Sequence, residues 1–201
     1  MGRIPRCELV SWAQVQTLCR RLARLIRDSE VAPDLIVAIG RGGYVPGRIL
    51  ADLMGLMDLV GIRVEHYRGA RRGPVARIRQ PLAVDVSDRR VLLVDDVSDT
   101  GDTFEAALEH LAQQGRPASL HTAAMHHKTV SRIEPDYFAR RVIKWRWIIY
   151  PWAVTEDLAA FAQELTPAPS SPAELGRRLL DSSGIRTTEE TLEDVWRLLA
   201  D

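Results

Sequence analysis

The chain has 201 residues, with 27 Lys and Arg balanced by 27 Asp and Glu. That length fills one core with room for a small appendage, and zero net charge excludes a global field that would draw nucleic acid or a membrane surface. No apolar run reaches membrane-spanning length, the first residues lack the apolar core of a signal peptide, and Cys7 and Cys19 have no metal-ligand spacing. The expectation is a cytoplasmic globular protein with reduced thiols.

Ser11 is expected to cap a helix over 12–27, with Trp12, Val15, Leu18, Leu22 and Leu25 spaced to line one face. Pro33-Asp34 introduces an unbroken apolar run over 35–39, which reads as a parallel strand buried on both faces. Gly40-Arg41-Gly42-Gly43 follows, then a helix through Ile49 and Leu53 that ends near Gly55. Residues 59–67 alternate as a second strand. The stretch 68–79 is rich in Arg and Gly, carries Pro74, and is expected to be a mobile loop. A short return strand is expected over 81–86.

Residues 90–94 read as a central strand, followed by a helix over 101–114 that Gly115 closes. Two more strands are expected over 119–125 and 137–143, and 145–152 is an aromatic segment interrupted by Pro151. Residues 166–172 have linker composition. Ser171-Pro172-x-Glu174 then carries a capping box with Pro at the first helical position. It opens two short amphipathic helices, 172–182 and 188–200, separated by Gly184. Strands alternating with helices predict an α/β domain with a mostly parallel sheet, plus a helical tail.

The most informative stretch is 91–103, where an apolar run meets Asp95-Asp96 and then Thr100-Gly101-x-Thr103 at the start of a helix. Open α/β sheets bind ligands at the carboxyl ends of their strands. Carboxylates there suit ribose hydroxyls and a metal, and the amides of a tight turn suit a phosphate. Gly101 lets that turn close, because glycine takes positive φ without steric cost. An ordinary strand–turn–helix with a polar turn is the plainer alternative.

At Asp95-Asp96-x-x-x-Thr100-Gly101-x-Thr103 the chain resembles the type I phosphoribosyltransferases, whose phosphoribosyl pyrophosphate (PRPP) motif has this form. Gly40-Arg41-Gly42-Gly43-Tyr44-Val45-Pro46-Gly47, after the first parallel strand, resembles the loop that holds pyrophosphate in the xanthine–guanine and hypoxanthine branch. Trp147-Ile148-Ile149-Tyr150-Pro151-Trp152 resembles the segment of those enzymes whose first Trp stacks on the purine. His127-Lys128 ends a strand where the family places a lysine that donates to the purine 6-oxo group.

The resemblance implies a type I phosphoribosyltransferase fold, with a domain over 1–165 whose hood comes from the N-terminal segment and about 126–153. A linker over 166–172 and a helical extension over 173–201 complete the expected organisation. It implies that PRPP meets Arg41, Gly42, Asp95, Asp96, Asp99, Thr100, Gly101, Asp102 and Thr103. Asp99 is the implied general acid/base, near purine N7. Lys128, Trp147 and Ile148 are implied to bind the purine, and Asp96 and Asp95 to hold Mg²⁺, in part through water. Tyr67, Arg68 and Arg71 are implied to belong to a flexible loop that closes over the site. A homodimer or larger homo-oligomer is also implied.

The implied reaction is transfer of 5-phosphoribosyl from PRPP to hypoxanthine, xanthine or guanine, a Mg-dependent step of purine salvage. Three departures from the family pattern stand out. Ala153 replaces the acid common after Pro-Trp, with Glu156 and Asp157 a little later, Asp102 stands where glycine is common, and the 68–79 loop shows little similarity beyond Tyr67. The resemblance spans about residues 34–153 and leaves the helical tail unexplained. Two alternatives stay open: a PRPP-binding regulatory protein without turnover, and a transferase for a non-purine acceptor. Acids at Glu189, Glu190, Glu193 and Asp194 argue against nucleic-acid contact by the tail.

Overall fold

A computed structural model describes residues 4–67 and 75–200. It divides into two compact units, Val15–Trp145 and the pair Met1–Gln14 with Arg146–Asp201.

The first unit is built on a six-stranded sheet of β2 (Leu35–Gly40), β3 (Leu59–Tyr67), β4 (Val75–Gln80), β5 (Arg90–Ser98), β6 (Ser119–Lys128) and β7 (Tyr137–Val142). The spatial order is β4-β3-β2-β5-β6-β7. Every pairing is parallel except β3 with β4. Covering on both faces explains why β2 and residues 91–94 of β5 are apolar at every position. Leu35, Val37, Ile39, Val91 and Leu93 pack with Phe104, Ala107 and Leu111 of α3 (Asp102–Leu111). The intervening Ile36, Leu92 and Val94 pack with Leu22 and Ile26 of α1 (Trp12–Asp28) and Leu50 of α2 (Tyr44–Met54). Helices on both faces leave the strand ends as the place where polar residues can gather.

The second unit pairs β1 (Cys7–Leu9) in parallel with β8 (Trp147–Ile149). Its core is formed by Ile4, Ile149, Leu158, Phe161, Leu175, Leu179, Ile185, Leu192 and Val195. These residues join β8 to α4 (Val154–Glu164), α5 (Pro172–Ser183) and α6 (Glu189–Ala200). The tail helices thus share one core with the N-terminal segment. The Tyr150 and Trp152 rings stack at 4.8 Å, and Trp12 lies 5.8 Å from Trp152.

Several expectations need correction. β4 occupies residues expected to be loop, and 81–86 is not a strand; Leu82 and Val86 are buried by packing rather than by ladder pairing. The buried face of α1 is Val15, Cys19, Leu22, Ala23 and Ile26, while Trp12 and Leu25 are exposed. Helix α4 and strand β1 are additions to the expected elements.

Both expected caps form. Ser11 Oγ accepts from Gln14 N–H at 3.2 Å, and Gln14 Oε1 accepts from Ser11 N–H at 2.7 Å. Ser171 Oγ accepts from Glu174 N–H, but Glu174 reaches back to Ser170 rather than to Ser171. Tyr67 is the last residue of β3, and Arg68 and Arg71 lie outside the described residues.

Candidate active site

Because β2, β5 and β6 are parallel neighbours, their carboxyl ends lie side by side. They bring together the Arg41-Gly42 turn, the Asp95–Thr103 stretch and Lys128.

The turn after β2 is shaped by close approach. A Cβ on Gly42 would fall 2.4 Å from Oδ2 of Asp96, and one on Gly43 would fall 2.3 Å from the carbonyl oxygen of Val94. Glycine at both positions lets the backbone of one loop lie directly on the other. The Gly40–Arg41 peptide is cis. Arg41 is exposed at the tip of the turn, and Tyr44 covers Gly40 and Gly61.

The two acids after the β5 apolar run differ. Asp95 is buried, and its Oδ1 accepts the Asp96 N–H at 2.9 Å. Burial, and then the neighbouring Asp96 carboxylate, push the Asp95 carboxyl well above the usual carboxylate range. Asp96 is half-buried and faces the Gly42 turn. This pairing of like charges favours any cation or hydroxyl donor that comes between them.

Beyond the acids, Ser98 Oγ donates to the Ile133 carbonyl at 2.8 Å and lies 2.8 Å from Ser131 Oγ, which fastens the 131–133 segment to the strand end. Gly101 takes φ of 95°, and a Cβ there would fall 2.9 Å from the Ile133 nitrogen. Both the conformation and the space demand glycine. The Arg132 N–H donates to the Thr100 carbonyl at 3.0 Å.

Asp102, in the first turn of α3, is turned towards other partners. It accepts from Thr100 Oγ1 at 3.0 Å and is bridged by the Arg132 guanidinium. Residues 95–101, Thr103 and Phe104 enclose a cavity of about 180 Å³. Whole-ligand sites are commonly about 300–1,000 Å³, so this is a subsite for one part of a larger ligand.

The strand register brings Asp99 and Lys128 together. Ser98 pairs with His127, so the next residues, Asp99 and Lys128, meet at the strand ends. Lys128 Nζ donates to Asp99 Oδ2 at 2.6 Å, with the lysine side chain 2 % exposed and the acid 33 % exposed. Trp145 Nε1–H donates to the other oxygen, Asp99 Oδ1, at 3.2 Å. Lys128 Nζ also sits 4.5 Å from the centroid of the Trp145 ring, within cation–π range.

His127 is buried beside Phe138, and its Nε2 lies 3.5 Å from Glu134 Oε2. Burial holds its pKa below the usual histidine value.

Ten expected site residues therefore meet at the carboxyl end of the sheet: Arg41, Gly42, Asp95, Asp96, Asp99, Thr100, Gly101, Asp102, Thr103 and Lys128. Trp147 and Ile148 lie on β8 in the other unit. Ile148 is buried, whereas Trp147 is partly exposed, with its ring edge against Phe161 and its side chain hydrogen-bonded to Asp157.

Sequence reading missed Trp145, Ser131 and Arg132 as members of the β5–β6 end. Each is brought in by the fold from 30 or more residues away from its partner, so no local spacing marks it.

Residues 8–157 match the phosphoribosyl transferase domain family. A xanthine-guanine phosphoribosyltransferase of Cereibacter sphaeroides is 31% identical over 149 residues, covering 71% of this chain and 84% of that protein. A hypoxanthine-guanine phosphoribosyltransferase of Saccharomyces cerevisiae is 27% identical, covering 74% of this chain and 86% of that protein.

The crystal structure of a purine phosphoribosyltransferase from Pyrococcus horikoshii shares 34% identity with a TM-score of 0.65. It covers 73% of this chain and 93% of that one. The mostly parallel sheet with flanking helices is that of the type I phosphoribosyltransferases. The family match ends before α5 and α6, which border a separate cavity of about 710 Å³ walled mainly by Leu179, Leu180, Ile185 and Leu192. Motif, strand-end geometry and matched length agree, and the chain belongs to the phosphoribosyl transferase domain family.

Proposed function

We propose that this protein is a purine phosphoribosyltransferase that moves the 5-phosphoribosyl group of PRPP onto a 6-oxopurine. A base nitrogen bonds to the anomeric carbon as the bond to pyrophosphate breaks, giving the nucleoside 5′-monophosphate and pyrophosphate. The observation that carries this reading is the Asp99–Lys128 pair at the same strand ends as the phosphate-type turn. One group is an acceptor-only carboxylate and the other a donor-only ammonium. Together they match a heterocycle that offers an N–H to one and a carbonyl to the other. The similarity to purine-specific relatives supports the same acceptor class.

In this reading the chain mainly positions reactants and stabilises a leaving group. The Arg41-Gly42 turn meets the pyrophosphate, and the amides of 99–103 hold the 5′-phosphate. Asp95 and Asp96 take the ribose hydroxyls, and Asp99 holds or moves the proton at purine N7. Lys128 donates to the 6-oxo group and disfavours a 6-amino group.

The donor set also fits Mg²⁺. Among the described residues, no group of three or more His, Cys, Asp or Glu could hold a metal ion alone. Mg²⁺ typically keeps several waters beside one or two carboxylates and substrate phosphates. Asp96, with Asp95 through water, would hold it, and when bound it neutralises the departing pyrophosphate.

No described helix is long and apolar enough to cross a membrane; cytoplasmic localisation and a homo-oligomer complete the proposal. The test is release of pyrophosphate from PRPP that depends on added hypoxanthine, xanthine or guanine. PRPP binding without base-dependent release would favour a regulatory role instead.

A further inference from the structure

Both oxygens of Asp99 are occupied by protein donors, Lys128 Nζ at 2.6 Å and Trp145 Nε1–H at 3.2 Å. The same indole lies 4.5 Å from Lys128 Nζ and supplies the cation with a π-face. Trp145 thus satisfies both members of the pair at once. Its chemistry resembles that of a purine: an N–H on a five-membered ring fused to a six-membered aromatic ring.

The residue is nevertheless open to solvent. It is 45% exposed and sits on the irregular segment between β7 and β8, outside any strand ladder. Lys128 beside it is 2% exposed, so its ammonium depends on the groups packed against it.

We propose that the Trp145 indole is an internal stand-in for the base, occupying the Asp99–Lys128 pair until an incoming 6-oxopurine displaces it. This rests on the proposed reading of Asp99 and Lys128 as the base-facing groups. Displacement replaces the indole N–H with a purine N–H at Asp99 and the π-face with a carbonyl oxygen at Lys128. The indole lowers the apparent affinity of every base by the same factor, and the preference for a 6-oxo group stays with Lys128. A competitor that must be moved reduces the population ready to bind, and removing it restores that fraction.

The test compares wild-type protein with Trp145→Phe, which keeps a ring and removes the N–H donor, and with Trp145→Ala. Steady-state constants are measured for hypoxanthine and for PRPP, with tryptophan emission followed as hypoxanthine is added. Trp145→Phe is expected to lower the hypoxanthine KM about five-fold while the PRPP KM stays in place. The base-induced change in emission should shrink in the same variant, and Trp145→Ala should also lower the base KM. A hypoxanthine KM that is unchanged or raised in Trp145→Phe overturns the inference. Wild-type turnover with an unmoved base KM overturns this inference alone. Absence of wild-type turnover with every 6-oxopurine overturns the functional reading, and the inference with it.

Discussion

Lys128 and Asp99 form an ion pair, Nζ to Oδ2 at 2.6 Å, on neighbouring strands at the end of the sheet where the phosphate-type turn begins. A buried ammonium needs a partner, because desolvation without one is costly. The carboxylate therefore holds the lysine in place, and the lysine orients the carboxylate. Neither residue can be altered without a consequence for the other.

Asp99→Asn keeps the shape and a hydrogen-bond acceptor for Lys128 but removes the basic oxygen. Turnover is expected to fall by about 10²–10⁴-fold, the usual range for a lost general acid/base. The PRPP KM should change much less. Initial rates at varied PRPP check this, and equal losses in turnover and PRPP affinity would remove Asp99 from the acid/base role.

Lys128→Ala deletes the donor proposed to separate a 6-oxo from a 6-amino purine. The ratio of kcat/KM for hypoxanthine over adenine is expected to fall by about ten-fold or more, corresponding to roughly 1.4 kcal/mol or greater. Competition between the two bases in one reaction measures the ratio directly. A ratio that does not move would assign the selectivity elsewhere.

Gly42→Ala places a methyl group where Oδ2 of Asp96 already stands, 2.4 Å from the new Cβ. Either the turn or the acid must shift. The PRPP KM is expected to rise about ten-fold, a change of about 1.4 kcal/mol, with a smaller change for the base. A PRPP KM within two-fold of wild type would show that the contact between the two loops is not used.

The framework was legible because burial on both faces leaves a strong mark. Strand β2 and residues 91–94 of β5 read as uninterrupted apolar runs, and Gly101 announces a turn that only a residue tolerant of positive φ can make. Edge and satellite elements leave weaker marks. In β4, Ile78 packs on the core while Arg77 and Arg79 face outward, so an edge strand looked like a charged loop. Strand β1 is three residues long and pairs with residues about 140 positions away. Trp145 reaches Asp99 only because β5, β6 and β7 are adjacent, which no local pattern encodes.

Asp157 gives a pH dependence with a defined sign. Burial raises its pKa from 3.8 to about 6, although a hydrogen bond from Trp147 opposes the rise. The folded state therefore binds a proton more tightly than the unfolded chain. This contribution to stability is present in full below the unfolded value and is lost as pH rises through about 6. The expected loss between pH 4 and 6 is on the order of 1–2 kcal/mol after allowance for partial exposure. Chemical denaturation at several pH values should show it in the wild type, and Asp157→Asn should flatten that part of the profile. A difference between wild type and Asp157→Asn that instead rises with pH would mean that Asp157 is stabilised as the anion.

The central claim is transfer of phosphoribose to a 6-oxopurine, and a labelled-PRPP assay across a panel of nucleobases tests it most directly. Label should appear in the monophosphates of hypoxanthine, xanthine or guanine, with little in that of adenine and none in those of pyrimidines. Label transferred chiefly to adenine or a pyrimidine, or to no base at all, would contradict the account.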